Sequence, residues 1–264
     1  MKAYNDQLAD SALVEKMVSS LKHRGPDDHG VWTKEHVGLG HARLSILDLS
    51  KAAHQPMLDH SSGNVISYNG EVYNFLELKK HQLKESSFQS SSDTEVVLKC
   101  LEQDGISAIN LFEGMFAFAY YDSSNTTLYL ACDQVGIKPL YYHVNQHRIV
   151  FASEIKVLKN IPGAPWKPDE RTVYRFLAFA EMESDGNSFY DEIKEFPSGS
   201  YLSYKPGQIN LKFRRYWTLP EEQIDISENN AVGMTYELLS DSIRLRLRSD
   251  VPIGLSLSGG LDST

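Results

Sequence analysis

The chain has 264 residues, of which 41% are hydrophobic and 23% charged, which is typical of a globular protein of one large or two modest domains. A formal net charge of −9 argues against nucleic acid or an anionic membrane as a partner, because no basic excess exists to neutralise phosphate. With two cysteines, no long apolar run and polar opening residues, we expect no disulfide framework, no transmembrane helix and no signal peptide, and therefore a cytoplasmic protein.

The first third of the sequence predicts one helix followed by short strands. Apolar residues fall on one face of residues 10–21, and Asp10 or Ser11 can cap the helix that this spacing predicts. Residues 24–30 have the proline and glycine content of a turn. Strands are predicted where β-favouring residues cluster, at 30–33, 37–39 and 65–68.

The middle of the chain is rich in strand signals. Ser92 and Glu95 have the spacing of a capping box, which predicts a helix to about residue 103 with Gly105 at its C-terminus. Aromatic and β-branched residues then predict strands at 116–121, 127–132, 140–143 and 149–152.

The last third combines helices with a change of composition. Residues 169–180 are predicted to form a helix. Strands are predicted at 200–204 and 209–216, joined by a hairpin at Pro206-Gly207. The polar, acidic stretch 220–227 is predicted to be a domain boundary, and a long helix over 228–248 and an apolar strand over 251–257 follow it.

A glycine-rich loop follows that predicted strand, with the sequence Ser258-Gly259-Gly260-Leu261-Asp262-Ser263-Thr264. Two glycines let a backbone approach an anion closely, and hydroxyl groups add hydrogen-bond donors, so the loop is a candidate anion site. No lysine follows the glycines, and the loop is therefore not a Walker A motif. A plain glycine-rich turn between a strand and a helix is the alternative.

Short motifs in a fixed order carry a resemblance to known families. Segment 249–263, which contains the Ser-Gly-Gly-Leu-Asp-Ser loop, resembles the start of the synthetase domain of glutamine-hydrolysing asparagine synthetases. Earlier motifs resemble those of class II glutamine amidotransferases, namely Arg24-Gly25-Pro26-Asp27, residues 40–48, Tyr68-Asn69-Gly70-Glu71, Ser92-Asp93-Thr94-Glu95, residues 114–119, residues 133–141 and residues 151–156.

The resemblance implies a fold, a domain division and an activity. Residues 1–220 would form an α+β domain of the N-terminal-nucleophile type, a four-layer αββα sandwich, and residues 227–264 would begin an α/β ATP-pyrophosphatase domain. The activity implied is the ATP-dependent conversion of aspartate and glutamine to asparagine and glutamate. ATP and Mg²⁺ are the implied cofactors, and a homodimer is a possible assembly.

The same resemblance implies roles that suit the chemistry of free glutamine. The α-carboxylate would bind the Arg43 guanidinium beside a pocket wall formed by Leu44, Ser45, Ile46 and Leu47. The α-ammonium would bind Asp93, with Glu71 as a second acceptor. The Asn69 side chain and the Gly70 N–H would stabilise the oxyanion of a tetrahedral intermediate. ATP would contact Leu257, Ser258, Gly259, Gly260, Leu261, Asp262 and Ser263, and no metal ligands are assigned.

Each of these residues also has a simpler interpretation. Taken without the resemblance, Arg43 is a candidate surface ion-pair partner and Asp93 an ordinary helix cap. The dipeptide Asn69-Gly70 is typical of a type I′ hairpin turn.

The resemblance also implies parts that the sequence as written does not contain. The family nucleophile is a cysteine at residue one of the mature chain, whose α-amino group serves as the base, whereas this chain starts Met1-Lys2-Ala3. Cys100 and Cys132 are not expected to replace it. We therefore expect a chain truncated at both ends and inactive as written. An inactive glutamine-binding remnant, or a related amidotransferase with a different carboxylate acceptor, remain alternatives.

Overall fold

The protein is described here by a computed structural model that covers residues 8–145, 148–164, 166–181, 186–205, 211–221 and 223–261. The helices in this part of the chain are α1 (Ser11–Ser19), α2 (Phe75–His81), α3 (Asp93–Asp104), α4 (Glu170–Phe179) and α5 (Glu228–Arg246), with 3-10 helices at Lys51–Ala53, Gly105–Leu111 and Ile155–Asn160. The strands are β1 (Asp28–Lys34), β2 (Val37–Arg43), β3 (Met57–Leu58), β4 (Val65–Val72), β5 (Gly114–Asp122), β6 (Thr127–Cys132), β7 (Tyr141–Val144), β8 (Ile149–Ala152), β9 (Ile193–Glu195), β10 (Ser200–Tyr204) and β11 (Phe213–Arg215).

The largest sheet has the strand order β11-β10-β6-β5-β4-β3 and antiparallel pairing throughout. Its central strand β5 follows the two-residue alternation of a strand. Phe116, Phe118 and Tyr120 pack into the core beneath the helices, whereas Ala117 and Ala119 face the opposite way. The large residues therefore hold the helices, and two methyl groups face the second layer of strands.

Four layers result from this alternation. Helices α2 and α3 cover one face of the six-stranded sheet. A second core lies between the other face and the layer formed by the β1-β2 ribbon and the β8-β7-β9 sheet. Residues of α1 and the 3-10 helix Ile155–Asn160 pack on the outside of that layer. The predicted α+β class and four-layer αββα arrangement are confirmed.

Local signals in the sequence located several elements correctly. Asp10 caps α1 by accepting a hydrogen bond from the Leu13 N–H, with an N–O distance of 3.1 Å. Ser92 caps α3 by accepting from the Glu95 N–H, but the Glu95 carboxylate accepts from Gln89 and Ser90 rather than completing the capping box. Glu95 therefore orders the turn before α3.

The strand predicted at 251–257 is wrong. These residues are irregular, and Leu255 and Leu257 are largely exposed. A strand needs a neighbouring strand for its backbone hydrogen bonds, and none in the described chain pairs with this segment. The hairpin predicted at Pro206-Gly207 lies outside the described residues.

Two strand edges face each other across the inner core. In the part of the chain that is described, β2 pairs only with β1, and β8 pairs only with β7. A large cavity opens between these edges, with apolar side chains of α1 along one wall and Ala117 and Ala119 at its floor. Both edges therefore present backbone groups beside an apolar space that suits one further extended segment.

We expect an N-terminal extension that carries one apolar strand to stabilise the domain by pairing along these edges. Burying a side chain of Val or Ile size contributes about 1.5–3 kcal/mol, and each kcal/mol raises the melting temperature of a domain this large by about 2–4 °C. The measurement is a thermal melt that compares the apolar extension with an extension of equal length made of Gly and Ser. Equal melting temperatures for the two extensions would contradict the expectation.

Candidate functional site

Most of the residues predicted to bind glutamine line that cavity. Its volume is about 930 Å³, and its lining includes Arg43, Asn69, Gly70, Glu71 and Asp93, which come from β2, β4 and the start of α3. Residues Leu44, Ile46 and Leu47 of the loop after β2 line it as well. Ser45 does not line it; its N–H donates to the Asp27 carboxylate at an N–O distance of 2.7 Å.

A buried guanidinium holds the loop after β2 in place. Arg43 is 6% exposed and donates to the carbonyl oxygens of Leu47, Asp48 and Ser50, with N–O distances of 3.3 Å to Leu47 and 3.0 Å to Ser50. Three carbonyl groups are thereby drawn around one cation, and the loop wraps the side chain. The interpretation of Arg43 as a surface ion-pair partner is wrong, because its contacts are buried backbone carbonyls.

Side chains that the sequence interpretation left without a role fix the outside of this loop. Buried Asp48 accepts from the Ser50 N–H at 3.0 Å and from the Ser91 N–H at 2.8 Å, and so ties the loop to the segment before α3. Asp27 holds Ser45, as described above. The Arg-Gly-Pro-Asp motif was the available signal for Asp27; the contact with Ser91 spans 43 residues and has no local signal.

The Arg-Gly-Pro-Asp turn is itself anchored by charge. Arg24 donates to Glu154 at 3.3 Å, and Lys156 also pairs with Glu154 at 3.0 Å. Burial raises the pKa of the Glu154 carboxyl, but hydrogen bonds from Lys156, His23 and Arg24 outweigh it and hold the pKa at about 2. Two motifs far apart in the sequence are therefore joined behind the cavity.

Strand β4 presents backbone donors along an open edge. The Tyr68 N–H donates to the Gln55 side chain at 2.7 Å, and the Val72 N–H donates to the Asp93 carboxylate at 3.0 Å. The intervening Gly70 N–H points the same way as these two, because alternate residues of a strand direct their N–H groups to the same side. A donor thus lies between two fixed neighbours at the edge of the cavity.

Asn69 and Gly70 lie inside β4, opposite Ala117 and Phe116 of β5. The hairpin-turn interpretation of Asn69-Gly70 is therefore wrong. The Asn69 amide approaches Ser153 Oγ at 3.5 Å. A Cβ atom at Gly70 would lie 2.3 Å from the Met115 carbonyl oxygen, so this position excludes every side chain.

Two carboxyl groups, those of Asp93 and Glu71, also line the cavity. Asp93 is 5% exposed, and its Oδ2 accepts from the Tyr68 hydroxyl at 2.8 Å and from the Val72 N–H. Burial raises the pKa of Asp93 to about 6, helped by the negative charge of Glu71 and opposed by those two hydrogen bonds. Since Ser92 caps α3, the interpretation of Asp93 as a plain helix cap is wrong. Two neighbouring carboxyl groups, one buried at Asp93 and one half-buried at Glu71, favour the binding of a cation.

Burial keeps one histidine and both cysteines of this domain in their neutral forms. Burial, with the charge of Arg43, lowers the pKa of His41 to about 4, so this cavity-lining imidazole is neutral at pH 7. Cys100 and Cys132 are buried free thiols outside the cavity lining. Burial raises the pKa of both thiols, that of Cys100 to about 12, so neither provides a thiolate.

The predicted nucleotide loop is far more exposed to solvent than most residues of the cavity. Gly259 has φ +73°, and a Cβ placed there meets nothing within 4 Å. Leu257 is 60% exposed and Leu261 98% exposed, and Ser258 accepts from the Gly260 N–H at 3.3 Å. Asp262, Ser263 and Thr264 lie outside the described residues. The structure does not bring this loop to the cavity.

Comparison with protein families gives two matches. A family described as a glutamine amidotransferase domain matches residues 2–217, and a family described as asparagine synthase matches residues 234–264. The described residues contain no helix with the length and apolar character needed to cross a bilayer. They also contain no group of three or more His, Cys, Asp or Glu residues arranged to hold a metal ion.

Individual relatives agree with these matches. A putative glutamine-hydrolysing asparagine synthetase of Methanocaldococcus jannaschii is 33% identical over 95% of this chain and 52% of its own length. An amidase of Gibberella zeae, chry2, is 36% identical over 96% of this chain and 38% of its own length. The chain thus spans about half the length, or less, of these curated relatives.

A solved structure supports the fold. A glutamine phosphoribosylpyrophosphate amidotransferase from B. subtilis superposes with a TM-score of 0.59 at 19% identity, covering 81% of this chain and 48% of its own. At this identity the likeness concerns the fold, and it agrees with the four layers described above.

The raised pKa of Asp93 predicts that an ammonium ligand binds less tightly in acid. The carboxyl is mostly ionised at pH 7 and mostly protonated at pH 5, so a pKa of about 6 predicts an affinity for glutamine about tenfold lower at pH 5. Isothermal titration across this range measures the effect. Asp93→Asn should bind weakly at both values, whereas Asp241→Asn on the exposed face of α5 should retain the wild-type profile. A wild-type affinity that does not change with pH would contradict the prediction.

Proposed function

The chain belongs to the glutamine amidotransferase domain family, and from this premise we propose that its cavity binds free glutamine for an ATP-dependent asparagine synthetase. In this proposal residues 1–220 form the glutamine domain, and residues 227–264 begin the synthetase domain. Glutamine supplies ammonia, ATP activates the side-chain carboxylate of aspartate, and asparagine and glutamate are the products. The asparagine synthase match and the M. jannaschii relative support this choice of acceptor.

One observation carries the proposal. A single cavity contains a guanidinium, two carboxyl groups and an open backbone N–H, provided by Arg43, Asp93 with Glu71, and Gly70. A free amino acid needs this set, because its α-carboxylate, α-ammonium and side-chain carbonyl require partners of three different kinds. A larger substrate without both α-groups would leave one of these buried charges unmatched.

The roles of the residues follow from their chemistry. Arg43 binds the α-carboxylate, with Leu44 to Leu47 as the adjoining wall. Asp93 and Glu71 bind the α-ammonium. The Asn69 amide and the Gly70 N–H stabilise the negative charge on the amide oxygen when a nucleophile attacks the amide carbon. The family nucleophile belongs at the start of the mature chain, outside the described residues, so this cavity accounts for binding and oxyanion stabilisation.

ATP and Mg²⁺ belong to the synthetase half of the proposal. The backbone at Ser258, Gly259 and Gly260 suits a phosphate group, because Gly259 has a positive φ and open space on its Cβ side. Leu257 would contact the nucleotide beside it. When bound, ATP would supply the adenylyl group that activates the acceptor carboxylate, with pyrophosphate as the leaving group.

A different acceptor is the second candidate. The Gibberella zeae relative is named an amidase, and it resembles this chain as closely as the synthetase relatives do. The glutamine cavity is the same under either candidate, because the acceptor does not enter it. We also propose a cytoplasmic location, which two free, buried cysteines support, and we retain a homodimer as part of the proposal.

Calorimetric titration with glutamine, glutamate, asparagine and aspartate tests the proposed site. We expect glutamine to bind best. Arg43→Ala should weaken binding at least about 30-fold, because it removes a charge-assisted pair. Arg244→Ala is the matched control, since Arg244 pairs with Asp241 on the exposed face of α5. No binding of glutamine by the folded wild-type protein would refute the proposal.

An ammonia assay separates the active enzyme from the inactive remnant. The remnant interpretation predicts glutamine binding without ammonia release, so measurable ammonia from this chain would exclude it. Product analysis with ATP, glutamine and a series of carboxylates then identifies the acceptor. Asparagine formed from aspartate supports the synthetase, and amidation of another acid supports the second candidate.

A further inference from the structure

We propose that Arg248 and Asp250, here named the 248–250 clamp, position both walls of the cavity for glutamine. This inference rests on the proposed function of the cavity and adds residues that lie outside its lining. The clamp follows α5 and precedes the predicted nucleotide loop by eight residues. It is therefore the point at which the segment bearing the nucleotide loop contacts the glutamine site.

Asp250 contacts the first wall, which is the loop that surrounds Arg43. Its N–H donates to the Ile46 carbonyl at 3.1 Å, and its Oδ2 accepts from the Asp48 N–H at 2.7 Å. One residue thus holds the peptide groups on both sides of Leu47. The Leu47 and Asp48 carbonyls accept from the Arg43 guanidinium, so Asp250 lies directly behind the group that binds the carboxylate.

Arg248 contacts the second wall, which is the end of β4. Its guanidinium donates to the Tyr73 carbonyl and makes a two-point pair with Glu77, both N–O distances being 2.6 Å. Tyr73 follows Val72, whose N–H holds the Asp93 carboxylate. Arg248 therefore fixes the backbone next to the group that binds the ammonium.

The rest of α5 has little contact with the first domain. Tyr236, Leu238 and Leu239 are exposed, whereas Leu245 near its C-terminus is buried. The Arg246 guanidinium lies 4.9 Å from the centre of the Tyr73 ring. Attachment is thus concentrated at the C-terminal end of α5, next to the clamp.

The pKa of Glu77, the carboxyl partner of Arg248, is lowered by this contact. A hydrogen bond from Arg248 is the main cause that lowers the pKa of Glu77 to about 2, although the Glu77 side chain is 47% exposed. Paired, parallel hydrogen bonds of this kind fix geometry as well as add attraction. A lysine cannot reproduce them, because an ammonium does not have the fork of a guanidinium.

Hydrogen exchange tests the clamp without any ligand. In Asp250→Ala, the amide protons of residues 44–50 should exchange about tenfold faster than in the wild type, because the Asp48 N–H loses its acceptor. Asp241→Ala is the matched control and should leave this segment unchanged. Equal protection of residues 44–50 in Asp250→Ala and wild type would overturn the proposal, whether or not glutamine binds.

Glutamine titration provides the second measurement. Asp250→Ala and Arg248→Ala should each raise the Kd for glutamine about tenfold, the effect of losing one hydrogen bond to a charged group. Asp250→Asn should restore much of the affinity through its carbonyl oxygen, whereas Arg248→Lys should not. Arg244→Ala and Asp241→Ala are the controls, and thermal melts establish that each variant is folded.

The two measurements separate the possible failures. Wild-type glutamine affinity in a folded Asp250→Ala variant overturns the clamp and leaves the proposed function intact. Absence of glutamine binding by the wild type refutes the proposed function. Hydrogen exchange is then the remaining test of whether the clamp positions the loop. Weaker binding without faster exchange at residues 44–50 also overturns it, because positioning requires the loop to loosen.

Discussion

A buried guanidinium needs acceptors, and the loop after β2 has its conformation because it provides them. Arg43 is enclosed by three carbonyl groups of residues 47–50. Neutral carbonyls solvate the cation without cancelling its charge, so it retains its attraction for an anion on the cavity side. The other contacts of this loop, from Asp27, Ser91 and Asp250, hold an arrangement that the cation itself creates.

Strand geometry explains how opposite charges and a neutral donor come to share one cavity. The alternation of β4 directs Ser67, Asn69 and Glu71 toward the inner core, while its even-numbered N–H groups line up along the free edge. Gln55 and Asp93 occupy the outer two of these edge positions. The strand therefore sets the spacing between the proposed ammonium site and the proposed oxyanion donor.

Local patterns in the sequence were sufficient for helices and their caps. Asp10 and Ser92 cap the helices predicted for them, because capping involves groups only two or three residues apart. The four layers followed from the family resemblance rather than from periodicity. Asn69-Gly70 shows the limit of local reasoning: the same dipeptide suits a hairpin or a strand interior, and its pairing with β5 decides between them.

Contacts between distant segments were beyond such reasoning. The segment 251–257 has the composition of a strand, but a strand depends on a partner that no local pattern reveals. The contact of Asp250 with Asp48 spans 202 residues. The family resemblance thus anticipated residues that line the cavity, whereas nothing in the sequence indicated the distant contacts that hold them in place.

The two alanines of β5 have a consequence for how this scaffold can diversify. Phe116, Phe118 and Tyr120 pack beneath the helices, whereas Ala117 and Ala119 belong to the other core and take no part in that packing. Because both alanines form the cavity floor, exchanging their methyl groups for larger ones alters its shape from beneath while the helical core stays as it is. Evolution or a protein engineer can thus reshape the cavity by changing two positions on one strand, independently of the charged side chains that we propose bind glutamine.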